Sequence, residues 1–308
     1  MVNGGPFICP ACGDTGSMQV GHEATAFDTI IDGQTFRQPA YSIRSCGRCG
    51  LYFKSHTLTS EQLGAYYARL ESATFEVDAN FPTDQLVREA LDRLPHGSRV
   101  LDFGCSTGRV LKGLTARLDC TGVEPNEPAA AIARGRGIRI ISEQELRDGR
   151  SGDFDAILLA DVYEHLARPL EWLEVLATRL KPGGWLAIVT GNADAIHTKD
   201  FIGEYWYFRL PGHLLMLSER HVPWLATRIG LAVQALHRCS HYDTPAMDRI
   251  RQAVRSFAYY QFRTSPRSGL TALMRLVPGI RRAERWPTAP AMMCAADHVV
   301  AILHKAPV

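Results

Sequence analysis

Val100-Leu101-Asp102-Phe103-Gly104-Cys105-Ser106-Thr107-Gly108 is the stretch whose reading decides the fold. An apolar run ends in the carboxylate of Asp102, turns through two glycines and enters a helical pattern carrying Val110, Leu111 and Leu114. A buried strand, a tight turn and a helix in that order form the first unit of a doubly wound, nucleotide-binding α/β sheet. Glu124 follows Asp102 by 22 residues, at the end of a second short strand over Thr121–Val123. An acid at that distance suits hydrogen bonds to the two hydroxyls of a ribose.

The rival is a dinucleotide fold, and Asp102 discriminates. In the dinucleotide fingerprint the glycine turn and the helix N-terminus receive an anionic pyrophosphate. A carboxylate just before that turn would repel it by roughly a few kcal/mol at contact distance and an effective dielectric of ~20. Ser106 also stands in the place of the second fingerprint glycine. S-adenosylmethionine has no phosphate but carries a sulfonium and an ammonium, so negative groups at the turn favour it.

Working outward, strands and helices alternate. Upstream, Thr59-Ser-Glu-Gln62 reads as a capping box opening a helix with Leu63, Tyr66, Tyr67 and Leu70 on one face. A second helix, capped near Thr83, carries Leu86, Val87, Ala90, Leu91 and Leu94. Downstream come a helix rich in Ala129, Ala130, Ala131 and Ala133, a strand at Ile138–Ile141 and a strand at Phe154–Leu159. A helix across Leu170–Leu180 and a turn at Lys181-Pro-Gly-Gly184 lead into a fifth strand, Trp185–Thr190. After a helix at Ser218–Ile229, later strands are expected at Leu231–Leu236 and His298–Leu303. About 60 residues separate those two, too many for a plain hairpin loop.

The 308 residues suit one catalytic domain with small additions: a ribbon over 1–58, the α/β domain over 59–239 and 296–308, and an insertion over 240–295. Net charge is only +2, so the whole chain is not built around nucleic-acid binding, and no nucleic-acid partner is expected. No apolar run approaches the ~18 residues of a membrane helix. The start, Met1–Ile8, has neither the basic region nor the apolar core of a secretion signal, so a cytoplasmic location is expected.

The eight cysteines are grouped rather than dispersed. Cys9-Pro-Ala-Cys12-Gly13 and Cys46-Gly-Arg-Cys49-Gly50 are two CxxC knuckles that can place four thiolates tetrahedrally around a structural Zn2+. Each following glycine lets a backbone amide turn toward a sulfur. The spacing fits a zinc ribbon with a hairpin insert over Ala26–Ile31 and Thr35–Arg37; unpaired or redox cysteines are the alternative. Cys105, Cys120, Cys239 and Cys294 are scattered and read as small core hydrophobes.

Within the insertion, residues 248–287 hold nine arginines against Asp248 and Glu284, a net +7, interleaved with aromatic and aliphatic side chains. A helical cap with a solvated basic face and a lid over an anionic substrate such as a phosphorylated sugar are both open. A weak membrane-surface contact and a nucleic-acid contact are further alternatives.

Val100–Gly108, Gly122-Val-Glu-Pro125, Phe154-Asp-Ala-Ile with Asp161-Val-Tyr-Glu-His165-Leu, and Leu180-Lys-Pro-Gly-Gly184 together resemble successive motifs of class I S-adenosylmethionine-dependent methyltransferases, over roughly residues 83–238. With its paired CxxC start, the chain is similar to the branch that includes nucleotide-sugar methyltransferases of natural-product and glycan pathways. The resemblance implies a seven-stranded Rossmann-like sheet and a ribbon packed beside the active site. It implies that Gly104 and Gly108, with Cys105 and Thr107, shape the cofactor turn and that Asp102 orients the methionine end. Glu124, beside Pro125, would hold the ribose, Ser142 and Glu143 would reach adenine, and Asp161 would lie at the ligand-binding edge. An N-cap role is the plainer reading of Asp161.

Two histidines sit where a base could act: His165 in Tyr163-Glu-His165-Leu, and His213 in Leu210-Pro-Gly-His213, after the fifth strand. His213 matches a histidine of similar sugar methyltransferases, and an imidazole can accept a proton at cellular pH. A capping or core role is the alternative for each. The expected chemistry is in-line methyl transfer to a small polar acceptor, sugar-derived and anionic or nucleotide-linked. An RNA base methyltransferase and a non-catalytic binding protein retaining the fold are the competing readings; the former lacks an acidic-or-Asn-Pro-Pro-aromatic tetrapeptide, Asp161-Val-Tyr-Glu standing in its place.

Overall fold

The computed structural model describes residues 7–31, 34–58, 60–68, 81–150, 152–196, 199–286, 289–290 and 296–307. Thr59 of the capping box, Leu70 and Cys294 lie outside the described residues.

The N-terminal segment forms five strands, β1 (Ser17–Ala24), β2 (Phe27–Ile31), β3 (Gln34–Gln38), β4 (Tyr41–Cys46) and β5 (Tyr52–Lys54). β2 and β3 pair antiparallel from Phe27↔Gln38 to Ile31↔Gln34, close to the expected hairpin. β1, β4 and β5 make a second antiparallel sheet that holds the cysteine knuckles at its end.

The apolar run before Gly104 is β6 (Arg99–Phe103), followed by β7 (Asp119–Val123), β8 (Arg139–Ile141), β9 (Phe154–Ala160) and β10 (Leu180–Gly191). After β11 (Leu215–Met216) come β12 (Ala232–Cys239) and β13 (His298–His304). The seven-stranded sheet has the order β12-β13-β10-β9-β6-β7-β8. Strands β8, β7, β6, β9 and β10 run parallel, and β13 is antiparallel to both β10 and β12. The expected turn at Lys181–Gly184 is absorbed into β10 as a register irregularity between Leu180 and Trp185.

Alternation along each strand sends side chains to two cores. Leu101, Phe103, Ile157, Leu159, Leu186 and Ile188 pack with Leu173 and Leu176 of the helix Pro169–Arg179. Val100, Ala156, Leu158, Ala187 and Val189 face the opposite way, onto Val87 and Leu91 of the helix Pro82–Leu91 and Ala133 of the helix Glu127–Gly135. Cys105 and Cys120 pack in that second core as expected.

Two local readings change. The segment after Gly108 buries Val110 and Leu111 as expected, but it is a run of turns rather than a helix. Gly113 at φ +82° interrupts any regular helical ladder there. Thr83 does not cap its helix: Phe81 is the N-cap, Pro82 opens the first turn, and buried Thr83 places its Oγ1 3.3 Å from His241 Nδ1.

The 240–295 segment joins the paired strands β12 and β13 through the helices Ala246–Thr264, Gly269–Arg275 and Pro278–Arg281. It has a small core of its own, formed by Ala258, Phe262, Met274 and Ala283.

β11, two residues long, ties the halves together. It adds to the ribbon sheet beside β5, with Leu215 opposite Phe53 and Met216 opposite Tyr52. Ser218 donates to the Gly50 carbonyl at 2.8 Å, and His221 Nδ1 lies 3.0 Å from the Cys49 carbonyl. The Tyr41 hydroxyl donates to the carbonyls of Gly203 and Phe208. The ribbon is thus docked on the segment that follows β10.

Candidate active site

The parallel strands end together at one edge of the sheet, where open α/β folds bind ligands. At the end of β6 the chain turns through Gly104 at φ +77° and Gly108 at φ +80°. A Cβ on Gly104 would lie 2.5 Å from Val162 Cγ2, and one on Gly108 2.2 Å from Ile138 Cδ1. Only glycine fits either position, for conformation and for space. Ser106 also sits in the left-handed region, at φ +50°.

Asp102 is buried, and its Oδ1 has no hydrogen-bond partner among the described residues. Burial pushes its carboxyl up to about 7; Arg109 opposes that, while Asp84, Glu124 and Asp161 add to it. Glu124 braces the turn: one oxygen accepts from the Ser106 amide at 2.8 Å and the other from the Asn126 amide at 2.7 Å. Each oxygen keeps a lone pair for a further donor.

Asp161 follows β9 at φ +56°, a conformation that costs an L-residue of order 1 kcal/mol or more and clusters at functional sites. Its Oδ2 accepts from Arg109 at 3.1 Å, and Arg109 also pairs with buried Asp84 while lying 4.4 Å over the Phe81 ring. Burial alone would raise the Asp161 carboxyl, but His241, His298 and Arg109 hold it below its ordinary value. Asp84 and Asp161 pair with Arg109, Arg88 also acts on Asp84, and Asp102 and Glu124 add two further carboxyls at the same edge of the sheet. An unpartnered buried carboxylate oxygen within that surplus of negative charge fits the sulfonium and ammonium of S-adenosylmethionine and opposes a pyrophosphate.

The remaining residues expected at the cofactor are placed as follows. Cys105 packs its side chain into the core and donates its amide to the Val123 carbonyl. Thr107 is buried and accepts from Arg136. Pro125 is exposed after Glu124. Ser142 caps the helix Glu143–Arg147 through a complete capping box with Glu145, and Glu143 is exposed beside it.

Next to this lies a histidine-rich wall. His165 Nδ1 lies 2.9 Å from the Gly212 carbonyl and 2.7 Å from the Tyr67 hydroxyl. A carbonyl only accepts, so the proton of a neutral His165 sits on Nδ1 and the lone pair on Nε2. His213 packs edge-on against His165, 4.8 Å between ring centres, and against Tyr207 at 4.2 Å. Its Nδ1 is enclosed and unpartnered among the described residues, and burial drives its pKa well below the ordinary imidazole value. Behind them the Tyr207 hydroxyl, Thr190 Oγ1 and Glu164 Oε2 form a chain with 2.8 Å links.

Several polar residues here escaped the sequence reading: Asp84, Arg109, His241, Asp297 and His298. Asp297 Oδ1 takes 3.0 Å contacts from His298 Nδ1 and from the His241 amide, and the His241 and His298 rings stack at 4.5 Å. The adjacent Asp297-His298 pair at the head of an apolar strand was the available signal. Asp161, His241 and His298 lie close enough to share a cation, but Arg109 already supplies positive charge to Asp161.

At the ribbon, the sulfurs of Cys9, Cys12, Cys46 and Cys49 all lie within 4.8 Å of one another, Cys9 to Cys49 at 3.6 Å and Cys12 to Cys46 at 3.4 Å. A tetrahedron with Zn–S bonds of 2.3 Å has edges of about 3.8 Å, so the four thiolates fit zinc. Gly13 and Gly50, at φ +71° and +78°, swing the amides of Asp14 and Leu51 toward the Cys12 and Cys49 sulfurs.

The methyltransferase domain family matches residues 79–236, just over half of the chain. Among curated proteins, a ubiquinone biosynthesis O-methyltransferase of Dechloromonas aromatica is 32% identical over 105 residues, covering 31% of this chain and 45% of its own. One from Caulobacter sp. (strain K31) is 38% identical over 117 residues, covering 34% and 46%. The chain thus spans a little under half the length of these relatives. A solved SAM-dependent methyltransferase from Archaeoglobus fulgidus has TM-score 0.47 and 14% identity, covering 80% of this chain and all of its own. No helix among the described residues is long and apolar enough to cross a membrane. With its motifs in order along the seven-stranded sheet, the chain belongs to the methyltransferase domain family, of the class I S-adenosylmethionine-dependent type.

Proposed function

We propose that this chain binds S-adenosylmethionine at the Asp102–Gly108 turn and transfers its methyl group to a hydroxyl of a small polar acceptor, with sugar-derived molecules as the acceptor class. The observation that carries the reading is the buried Asp102 carboxylate with an unpartnered oxygen, set among Asp84, Glu124 and Asp161. When bound, S-adenosylmethionine supplies an electrophilic methyl group on a cationic sulfur. Asp102 would hold the methionine end by charge, Asp161 would border the ligand at the edge of the sheet, and the free lone pairs of Glu124 would take the ribose hydroxyls. Gly104 and Gly108, with Cys105 and Thr107, shape the turn, while Pro125, Ser142 and Glu143 border the adenine side.

Rate then rests on alignment of acceptor and methyl group, and on removal of the acceptor proton. His165 is assigned the proton, because its fixed Nδ1–H leaves Nε2 as an acceptor. His213, whose imidazole is held neutral by burial, is assigned to hold the His165 ring rather than to take the proton. An oxygen acceptor is supported by the O-methyltransferase names of the relatives. The sugar-derived class is carried over from the resemblance to nucleotide-sugar methyltransferases, whose ribbon packs beside the active site; here the ribbon pairs with β11, two residues after His213. In this reading residues 1–58 are the ribbon, with Zn2+ on Cys9, Cys12, Cys46 and Cys49. Residues 59–239 with 296–308 form the catalytic unit and 240–295 the insertion.

The test is transfer of radiolabelled methyl from S-adenosylmethionine to two acceptor panels, nucleotide-linked sugars and phenolic hydroxyls. Labelled sugar supports the full proposal. Label only in the phenols retains the chemistry and overturns the acceptor class. Cofactor binding with no transfer to any acceptor favours the non-catalytic reading.

A further inference from the structure

Eight of the thirteen large hydrophobic side chains that the described residues expose fall between Met247 and Val277, inside the insertion. Met247, Ile250, Val254 and Phe257 recur at spacings of three and four along the helix Ala246–Thr264, so they form one continuous stripe. The other side of that helix buries Ser256, Tyr259 and Phe262, while buried Ala258, one turn after Val254, borders the stripe. The stripe is therefore surplus to the insertion's own core. On the helix Gly269–Arg275, Leu273 and the C-cap residue Leu276 stand 64% and 76% exposed.

The same segment carries the +7 charge. Among the described residues Arg255, Arg267, Arg281, Arg282 and Arg285 are in no ion pair, whereas Arg251 and Arg275 are paired with Asp248 and Glu284, the two acids of the segment. Exposed aliphatic side chains beside unpaired guanidinium groups are the composition of a helix that lies in a membrane interface.

We infer that the insertion is a docking surface for an anionic lipid bilayer, its leucine and phenylalanine side chains entering the acyl boundary and its arginines meeting headgroup phosphates. Charge opposes the simplest competitor, a two-fold pairing of this face with its own copy, which would bring +7 against +7. Nucleic acid fits poorly too: of the stripe only Phe257 could stack on a base, and burying aliphatic chains against phosphates gains nothing. An anionic bilayer satisfies both halves of the surface at once.

The experiment is co-sedimentation of the full chain with vesicles of phosphatidylcholine alone and of phosphatidylcholine mixed with phosphatidylglycerol. Binding is expected to the anionic vesicles and to fall with added salt. Leu273→Glu with Leu276→Glu should weaken it by at least about tenfold. Arg281→Ala with Arg282→Ala and Arg285→Ala should weaken it on the order of a hundredfold, since each basic residue near the surface contributes about fivefold. Both variants change exposed side chains, and an unshifted unfolding midpoint checks that they fold. Equal binding to neutral vesicles, or unchanged affinity in both folded variants, overturns the inference. So does concentration-dependent dimerisation without lipid that Leu276→Glu abolishes, or binding to RNA with none to vesicles.

Discussion

Asp102→Asn should make this protein more stable and worse at holding its cofactor. Burial favours the neutral acid, moving the carboxyl from its ordinary 3.8 to about 7. An acid whose pKa is raised by folding costs stability as pH climbs above the unfolded value, and the cost is complete above the folded one. At 1.36 kcal/mol per tenfold change, ionised Asp102 costs the ligand-free fold about 4 kcal/mol at pH 8 but under about 2 kcal/mol at pH 5. Asparagine has nearly the same shape and does not ionise. The variant should therefore gain stability over the wild type, and the gain should be roughly 2–3 kcal/mol larger at pH 8 than at pH 5. Denaturant unfolding of the ligand-free protein at both pH values measures this. In calorimetry the same variant should bind S-adenosylmethionine about 1–3 kcal/mol more weakly, the cost of losing a charged hydrogen bond. Wild-type affinity should fall about tenfold per pH unit below 7, because the ligand must displace a proton, and the variant's should not. A variant no more stable than wild type at pH 8, with cofactor affinity unchanged, would refute this account of Asp102.

Cys12→Ser should release zinc from the purified protein and loosen the ribbon, which metal analysis and limited proteolysis would register; a wild type without zinc would contradict the site. Gly108→Ala should destabilise by about 1–3 kcal/mol in denaturant unfolding, since it adds a Cβ 2.2 Å from Ile138 Cδ1 at φ +80°. His165→Gln should lower kcat by ~10²–10⁴ with cofactor affinity nearly unchanged, while His213→Asn should cost less and act partly through KM. The reverse order of effects would return the proton to His213.

Much of the catalytic half was legible because its signals are local. The β6 run, its acid and its glycines lie within nine residues, and the two CxxC knuckles announce the thiolate cluster by spacing alone. Apolar runs also placed the other long strands of the sheet, apart from β10, which begins at Leu180 rather than Trp185, and β12, which runs on to Cys239 rather than ending at Leu236. What was hidden comes from distant segments meeting. Asp84, Arg109 and His241 come from three separate stretches to meet Asp161 and His298, and of these only His298 has a sequence neighbour, Asp297, that marks its partner. β11 has two residues, too few to carry a period, yet it joins the ribbon to the sheet domain. The helix expected after Gly108 failed for a local reason, Gly113 at φ +82°, which propensity underweighted against Val110, Leu111 and Leu114.

The most direct test of the central claim is calorimetric titration of the wild-type chain at pH 8 with S-adenosylmethionine and, separately, with NADH. The charge arrangement around Asp102 predicts saturable binding of S-adenosylmethionine at a single site and none of NADH. Tight NADH binding, with no heat from S-adenosylmethionine, would contradict it.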